Sequence, residues 1–324
     1  MSLKRQYKSV FTDMLTEYVA HRKMQGYKFV TSEQNLFQLD AYIHKIGWDS
    51  LCLRKELVEE YVAPLPGEKR ATQAHRVSAI RCFAKYLADT GRDAYIIPAG
   101  TCPVSKYIFD PYIFSEREIA RLVEAFDSLG YCASSPQRHL VMPMLIKVMY
   151  GCGLRISEAR QLLISDVNLE LGVLFIRATK FNKDRYVPMT PSLQKQCGLY
   201  ASQMHAFRNS SSPFFPSPRK GFYHRVSIGH TFRQCLHKAG IPHTDDGPTV
   251  HSLRHSFAVH RLAKWSQSKE DVTALLPYLS IYLGHESLLG TQRYLRMTAE
   301  MYPDLWDRAQ KTCSWIMPEV DRGE

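Results

Sequence analysis

Through residues 1–90 the apolar side chains recur at helical spacing. Residues 10–25 carry Phe11, Met14, Leu15, Tyr18 and Val19 on one face, and Gly26 stops the run. Residues 31–46 repeat the pattern with Leu36, Leu39, Tyr42, Ile43 and Ile46, with Thr31 or Ser32 placed to cap the start. A shorter helix is predicted over 54–62, ended by Pro64 and Pro66. A fourth runs over 72–89, with Val77, Ile80, Phe83, Ala84 and Leu87 turned inward. Its polar side shows Lys69, Arg70, Arg76, Arg81 and Lys85. That side reads either as a basic face for a phosphate backbone or as an ordinary solvated face.

The periodicity then lapses. Residues 91–113 hold three prolines and two glycines, as a linker does. A helix opens at Ser115, where Glu118 completes a capping box. The run 139–150, HLVMPMLIKVMY, reads as a buried helix ended by Gly151 and Gly153, and a further helix covers 157–163. At 172–178 (GVLFIRA) and 185–189 (RYVPM) the period changes to that of strands, joined by 179-TKFNKD-184. An extended piece follows at 213–217. After Ser227 the pattern is helical again, up to Gly240 and over 250–264, 268–283 and 288–296. The fold class is therefore mainly α with a small antiparallel β-sheet. The division is 1–95, a linker at 96–113, and 114–324.

Composition narrows the function. The 324 residues suit two domains, and 45% hydrophobic with 23% charged content describes a folded chain. The net charge of +11 favours a polyanionic partner, most often nucleic acid. Eight scattered cysteines form no CxxC pair, which leaves zinc fingers and redox motifs without support and suggests buried thiols in a reducing compartment. No apolar stretch is long enough to span a bilayer, and the first residues lack the apolar core of a signal peptide. The expectation is a cytoplasmic protein or one acting on the chromosome.

The segment 251-HSLRH-255 carries the most chemistry. Pro248 and Thr249 suit a helix start, so His251, Arg254 and His255 fall at i, i+3 and i+4 on a helix otherwise lined by Leu253, Phe257, Ala258, Val259 and Leu262. An arginine on so apolar a helix needs an anionic partner, either a structural carboxylate or a ligand. Zinc is disfavoured, because the glutamate of a zincin helix is missing and Arg254 would repel a cation. A second arginine, Arg155 in 151-GCGLRISEA-159, follows a glycine-lined break; Glu158 one turn on could orient it, or simply pair with it. A third piece is 283-LGHES-287, with Tyr294 nine residues beyond His285, Arg293 beside that tyrosine, and a break at Gly290. Each is weak alone. Together, two guanidinium forks match the two non-bridging oxygens of a pentavalent phosphorus, and a tyrosine supplies a nucleophile. A hairpin lysine could protonate the leaving oxygen.

In this arrangement the chain resembles the tyrosine recombinases, or phage integrases, over nearly its whole length. GLRISEA, HSLRH and LGHES followed by Tyr294 stand in that family's order. The hairpin TKFNKDRYVP and the stretch FFPSPRKGF look like its lysine hairpin and the piece before its HxLRH box. The resemblance implies a helical core-binding (SAM-like) domain at 1–95 and an α+β catalytic domain with a tail at 114–324. It implies Tyr294 as nucleophile forming a 3′-phosphotyrosine, Arg155 and Arg254 on the scissile phosphate, and Lys180 as general acid. His251 would be base or hydrogen-bond donor, and His285 a further phosphate contact. Neither cofactor nor metal is implied. The partners implied are double-stranded DNA, further copies in a tetramer on two sites, and accessory DNA-binding proteins. Three features depart from the pattern. The gap between HSLRH and LGH is long, Lys183 competes with Lys180 in a hairpin without the usual glycines, and Arg293 is an unfamiliar neighbour. The tail 299–324 offers Trp306, Trp315 and Ile316 as anchors. Two rival readings stay open: a type IB topoisomerase with the same chemistry, and a non-cleaving regulator on the same scaffold.

Overall fold

The computed structural model describes residues 6–26, 29–102, 111–177, 184–206, 208–244, 247–268, 270–285 and 287–301. The chain divides into two compact units, Met1–Phe109 and Asp110–Glu324. Lys180, Lys183, Trp306, Trp315 and Ile316 lie outside the described residues.

The first unit is built from α1 (Thr12–Met24), α2 (Val30–Lys45), α3 (Lys55–Val62) and α4 (Arg70–Asp89). The inward stripes meet as their spacing predicts: Phe11, Leu15, Tyr18, Leu36, Leu39, Ile43, Ile80, Phe83 and Leu87 share one buried core, with α4 packed on the other three helices. Buried Asp40 accepts the backbone N–H groups of Lys8 and Ser9 at 2.8 and 2.9 Å and so ties the entering chain to α2. The cap expected at Thr31 or Ser32 is not formed; α2 begins one residue earlier, after Phe29, with no side-chain cap.

The basic face expected on α4 needs correction. Arg76 is 5% exposed. Its guanidinium donates to the carbonyls of Tyr61 and Ala63, at the end of α3, and pairs with Glu68 at 2.6 Å. The last carbonyls of a helix lack intrahelical partners, so a cation there satisfies them. Arg76 thus fastens α4 to α3 and is not on the surface. Arg81 is half-buried and donates to the carbonyls of Ile97 and Pro98 at 2.9 and 2.7 Å. Lys69, Arg70 and Lys85 are exposed.

The second unit holds α5 (Glu116–Asp127), α6 (Arg138–Gly151), α7 (Ile156–Arg160), β1 (Val167–Asn168), β2 (Val173–Ile176), β3 (Arg185–Pro188), α8 (Pro191–Met204), α9 (Arg225–Lys238), α10 (Ser252–Gln267), α11 (Val272–Leu283) and α12 (Leu289–Met301). The capping box at Ser115 and Glu118 is formed. The sheet is antiparallel in the order β1-β2-β3, and β2 pairs with β3 from Val173 opposite Pro188 to Ile176 opposite Arg185. The molecule is mostly helical with one small three-stranded sheet among the described residues. β1 and α8 were not foreseen. A signal for α8 was present: Thr190 caps it by accepting from Leu193 N, and Pro191 fills its first position. The extended piece at 213–217 forms only single bridges, Leu163 to Pro213 and Pro216 to Phe222.

Most of the long gap between HSLRH and LGH is helix, the remainder of α10 followed by α11. Asp271 caps α11 by accepting from Thr273 and Ala274, and α11 packs on α10, α12 and β3. Gly290 does not break the chain but sits in the first turn of α12. Among the described residues, no helix is long and apolar enough to cross a membrane.

Candidate active site

Three cationic side chains arrive from three elements. Arg155 precedes α7, Arg185 opens β3, and Arg254 lies in the first turn of α10. They converge on one carboxylate. Glu158 sits 2.7 Å from Arg155 Nη1, accepts from both terminal nitrogens of Arg185 at 2.9 and 3.2 Å, and lies 3.8 Å from Arg254. Burial alone would push the Glu158 carboxyl up. The hydrogen bonds and charges of Arg185 and Arg155 outweigh it and hold the group at about 2, so it stays ionised.

Backbone carbonyls set the directions of the guanidiniums. Arg254, only 1% exposed, donates to Gly153 O at 2.9 Å and Leu283 O at 2.6 Å. Arg155 donates to Gly284 O at 2.9 Å. Both glycines are required by space and conformation. Gly153 has φ +59°, and a Cβ there would stand 2.5 Å from the Phe257 ring. Gly284 has φ +65°, and a Cβ there would stand 2.8 Å from Arg185. Burial draws the Arg254 guanidinium down to about 10, with Arg155 adding to the effect, yet it remains charged at neutral pH. One carboxylate cannot neutralise three guanidiniums. Among the described residues this leaves a surplus of positive charge, which suits the site to an anion.

Tyr294 reaches this cluster from α12. It is 3% exposed, and its hydroxyl is 2.9 Å from His255 Nδ1. Burial pushes its pKa up, while the charges of Arg254, Arg155 and Arg293 oppose the shift and favour the phenolate. The His285 ring stacks on the Tyr294 ring at 6.0 Å between centroids, and His285 Nδ1 is 2.7 Å from Thr291 Oγ1. His251 stands open to solvent just before α10, with its ring 4.5 Å from that of His255. Partial desolvation, then the charges of Arg254 and Arg155, favour its neutral form.

The structure therefore gathers Arg155, Glu158, His251, Arg254, His285 and Tyr294 in one place, with Arg293 within electrostatic reach. Lys180 and Lys183 belong to the segment joining β2 to β3, outside the described residues. Two members went unassigned in the sequence. His255 was visible as the last residue of HSLRH, one turn beyond His251. Arg185 follows the hairpin directly, but nothing in its neighbourhood tells a reader that it folds onto Glu158. Among the described residues no group of His, Cys, Asp or Glu side chains is arranged to hold a metal ion.

Residues 113–301 match the model of the phage integrase family. A putative integrase/recombinase of Sinorhizobium fredii, y4rB, is 30% identical over 314 residues, covering 94% of this chain and 98% of that protein. The tyrosine recombinase XerD of Rhizobium meliloti is 27% identical over 304 residues, covering 92% and 93%. Among solved structures, a lambda integrase (75–356) dimer bound to a COC′ core site superposes with a TM-score of 0.62 at 14% identity, covering 87% of this chain and 94% of that one. The XerH site-specific recombinase bound to a palindromic difH substrate gives 0.60 at 21% identity, covering 86% and 79%. The chain belongs to the phage integrase family and is a tyrosine-type site-specific recombinase.

Proposed function

We infer that this protein binds double-stranded DNA at specific sites and cuts and rejoins it through a 3′-phosphotyrosine on Tyr294. The observation that carries this reading is the set of three guanidiniums around a single carboxylate, with a tyrosine hydroxyl beside them. A phosphodiester is an anion that would complete such a set. Arg155 and Arg254 hold its two non-bridging oxygens, and their charge-assisted hydrogen bonds strengthen as negative charge builds in the transition state. Glu158 and Arg185 keep those guanidiniums in place. His251 and His285 contribute further hydrogen bonds to the phosphate. Lys180, with Lys183 as its competitor, protonates the leaving 5′-oxygen. The bond energy stays in the protein–DNA ester, so rejoining to a second strand needs no other energy source.

Strand exchange requires two duplexes, which points to a tetramer on two sites. The setting that fits is the movement of a mobile element or the resolution of replicon dimers, at the nucleoid. The test uses a duplex selected by the protein from a random-sequence pool, rebuilt with a nick next to the cleaved bond. The wild-type chain is expected to accumulate a covalent adduct, and Tyr294→Phe none. An adduct surviving in Tyr294→Phe places the nucleophile elsewhere. Two differently labelled duplexes should exchange strands; relaxation of supercoiled DNA without exchange would mean a topoisomerase, and binding with no adduct a regulator.

A further inference from the structure

The contact between His255 and Tyr294 has chemical content of its own. Tyr294 Oη and His255 Nδ1 are 2.9 Å apart, with ring centroids 5.6 Å apart at 54°. His251 instead sits edge to face against the ring of His255. Both imidazoles ride on the first turns of α10, and the tyrosine is fixed by the packing of α12 on α10. With its proton on Nε2, His255 has a lone pair on Nδ1 directed at the phenol.

Taking Tyr294 as the nucleophile, we propose that His255 is the base that removes its proton, and that in the DNA-free protein the same contact keeps the phenol neutral and parked. As Tyr294 Oη bonds to phosphorus, the O–H bond breaks and the proton passes to Nδ1, giving an imidazolium. The P–O5′ bond breaks, and the 5′-oxygen takes its proton from the general acid. In rejoining, a 5′-hydroxyl attacks phosphorus and gives its proton back to the former general acid, the P–O bond to Tyr294 breaks, and the imidazolium returns its proton to the phenolate.

The groups facing His255 explain the timing. His251 and Arg254 lie on its own helix, Arg293 and Tyr294 on α12, and His285 on the turn between α11 and α12. Burial first, then His251, Arg254, Arg293 and His285, push the imidazole down to about 3. Proton transfer is therefore uphill while the site lacks an anion. A phosphate seated between Arg254 and Arg155 offsets those cations and raises the basicity of His255. The substrate itself arms the base.

The experiment measures single-turnover adduct formation on the selected nicked duplex, across pH, alongside DNA affinity and Tyr294→Phe. His255→Ala is expected to slow the reaction by about 10²-fold at neutral pH with DNA affinity unchanged. Its rate should then climb tenfold per pH unit, because solvent must take the proton, where the wild-type rate levels off. His255→Asn keeps an acceptor for the phenol hydrogen but cannot take the proton, so it should fold normally and stay slow. Recovery of the wild-type rate by His255→Asn would reduce His255 to a spacer and overturn the proposal. So would a wild-type pH profile in either variant. If His255→Ala fails to fold, His255→Asn alone decides. Loss of the adduct in Tyr294→Phe together with wild-type behaviour of both His255 variants sinks this inference and leaves the nucleophile standing; an adduct in Tyr294→Phe sinks the nucleophile itself.

Discussion

Each unit of this protein buries an arginine, and the two are held in much the same way. Arg76 in the first unit donates to the carbonyls of Tyr61 and Ala63 and pairs with Glu68. Arg254 in the second donates to Gly153 and Leu283 and lies near Glu158. The difference is in the counting of charge. Arg76 has its own carboxylate. Glu158 must serve Arg254, Arg155 and Arg185 together. The first cluster is electrically closed and serves only to join two helices. Among the described residues the second is left with a positive surplus, which suits it to an anion. A buried cation marks a binding site when its counter-charge falls short, and it marks a structural staple when the charges match.

The sharpest way to break this contrast is to remove one arginine from each cluster. Arg254→Ala should lower adduct formation on a nicked duplex by about 10²- to 10³-fold, the usual cost of deleting a preorganised donor to a developing charge. Arg254→Lys should recover little, since one ammonium cannot bridge two carbonyls and a phosphate. Arg76→Met should leave the rate per folded molecule unchanged. It should destabilise the first unit by about 3–5 kcal/mol, because Glu68, with its side chain only 9% exposed, loses its cation. Pairing Arg76→Met with Glu68→Leu should return most of that loss in a thermal or denaturant melt. A rate defect in Arg76→Met, with its folding corrected by the second change, would erase the distinction.

Acid should separate the clusters next. The Glu158 carboxyl is held at about 2, below its ordinary value of 4.5, so the stability it contributes is complete above pH 4.5 and is lost as pH falls toward 2. That contribution amounts to about 3 kcal/mol. Burial first, and then the neighbouring cations, push His255 to about 3 and His285 to about 4, both below the ordinary 6.5. Below pH 6.5 the unfolded chain therefore binds protons that the folded site refuses, and stability falls further. Melts taken from pH 7 to pH 2 should show the second unit weakening from about pH 6.5 downward. Glu158→Gln should remove the lower limb of this dependence. A second unit as stable at pH 4 as at pH 7 would contradict the assigned electrostatics.

A smaller effect is expected at Gly284, whose carbonyl directs Arg155. Gly284→Ala forces a side chain into left-handed backbone, costing about 1–2 kcal/mol, and places a methyl against Arg185. The melt should shift by that amount, and the adduct rate should fall because Arg155 loses its fixed direction. A shifted melt with an untouched rate would mean that Gly284 serves the turn alone.

How much of this could be read from the sequence follows from which forces are local. Helix stripes such as Leu36, Leu39 and Ile43, and the capping box at Ser115 and Glu118, are written within a few residues of each other, so they were legible. The site motifs were legible because Arg155 with Glu158, and His251 with Arg254, are each set by one helical turn. Arg185 was not, because its partner lies 27 residues earlier in the chain, on α7, and only the tertiary fold brings the two together. Arg76 misled for the opposite reason. On a helical wheel it shares the polar side with Lys69, Arg70 and Lys85, and nothing local reveals that the carbonyl end of α3 lies over it. Charge seen along one helix says what is available, and the neighbouring element decides whether water or protein receives it.

That lesson gives the smallest and most selective test. If α4 lies along a DNA backbone, its contacts must come from the cations that remain exposed: Lys69, Arg70 and Lys85. Neutralising a lysine that touches a phosphate reduces the counterions released, so the slope of log affinity against log salt should become shallower by about 0.9 for each. Lys85→Gln should produce such a change with a several-fold loss of affinity at moderate salt, on specific and random duplexes alike. Arg81→Gln should not, since its guanidinium is committed to the carbonyls of Ile97 and Pro98 and its loss should register as a looser 97–98 segment. Equal salt slopes for Lys85→Gln and the wild-type chain would show that the exposed side of α4 is merely solvated, and would leave the surplus around Glu158 as the anion-seeking feature of the described molecule.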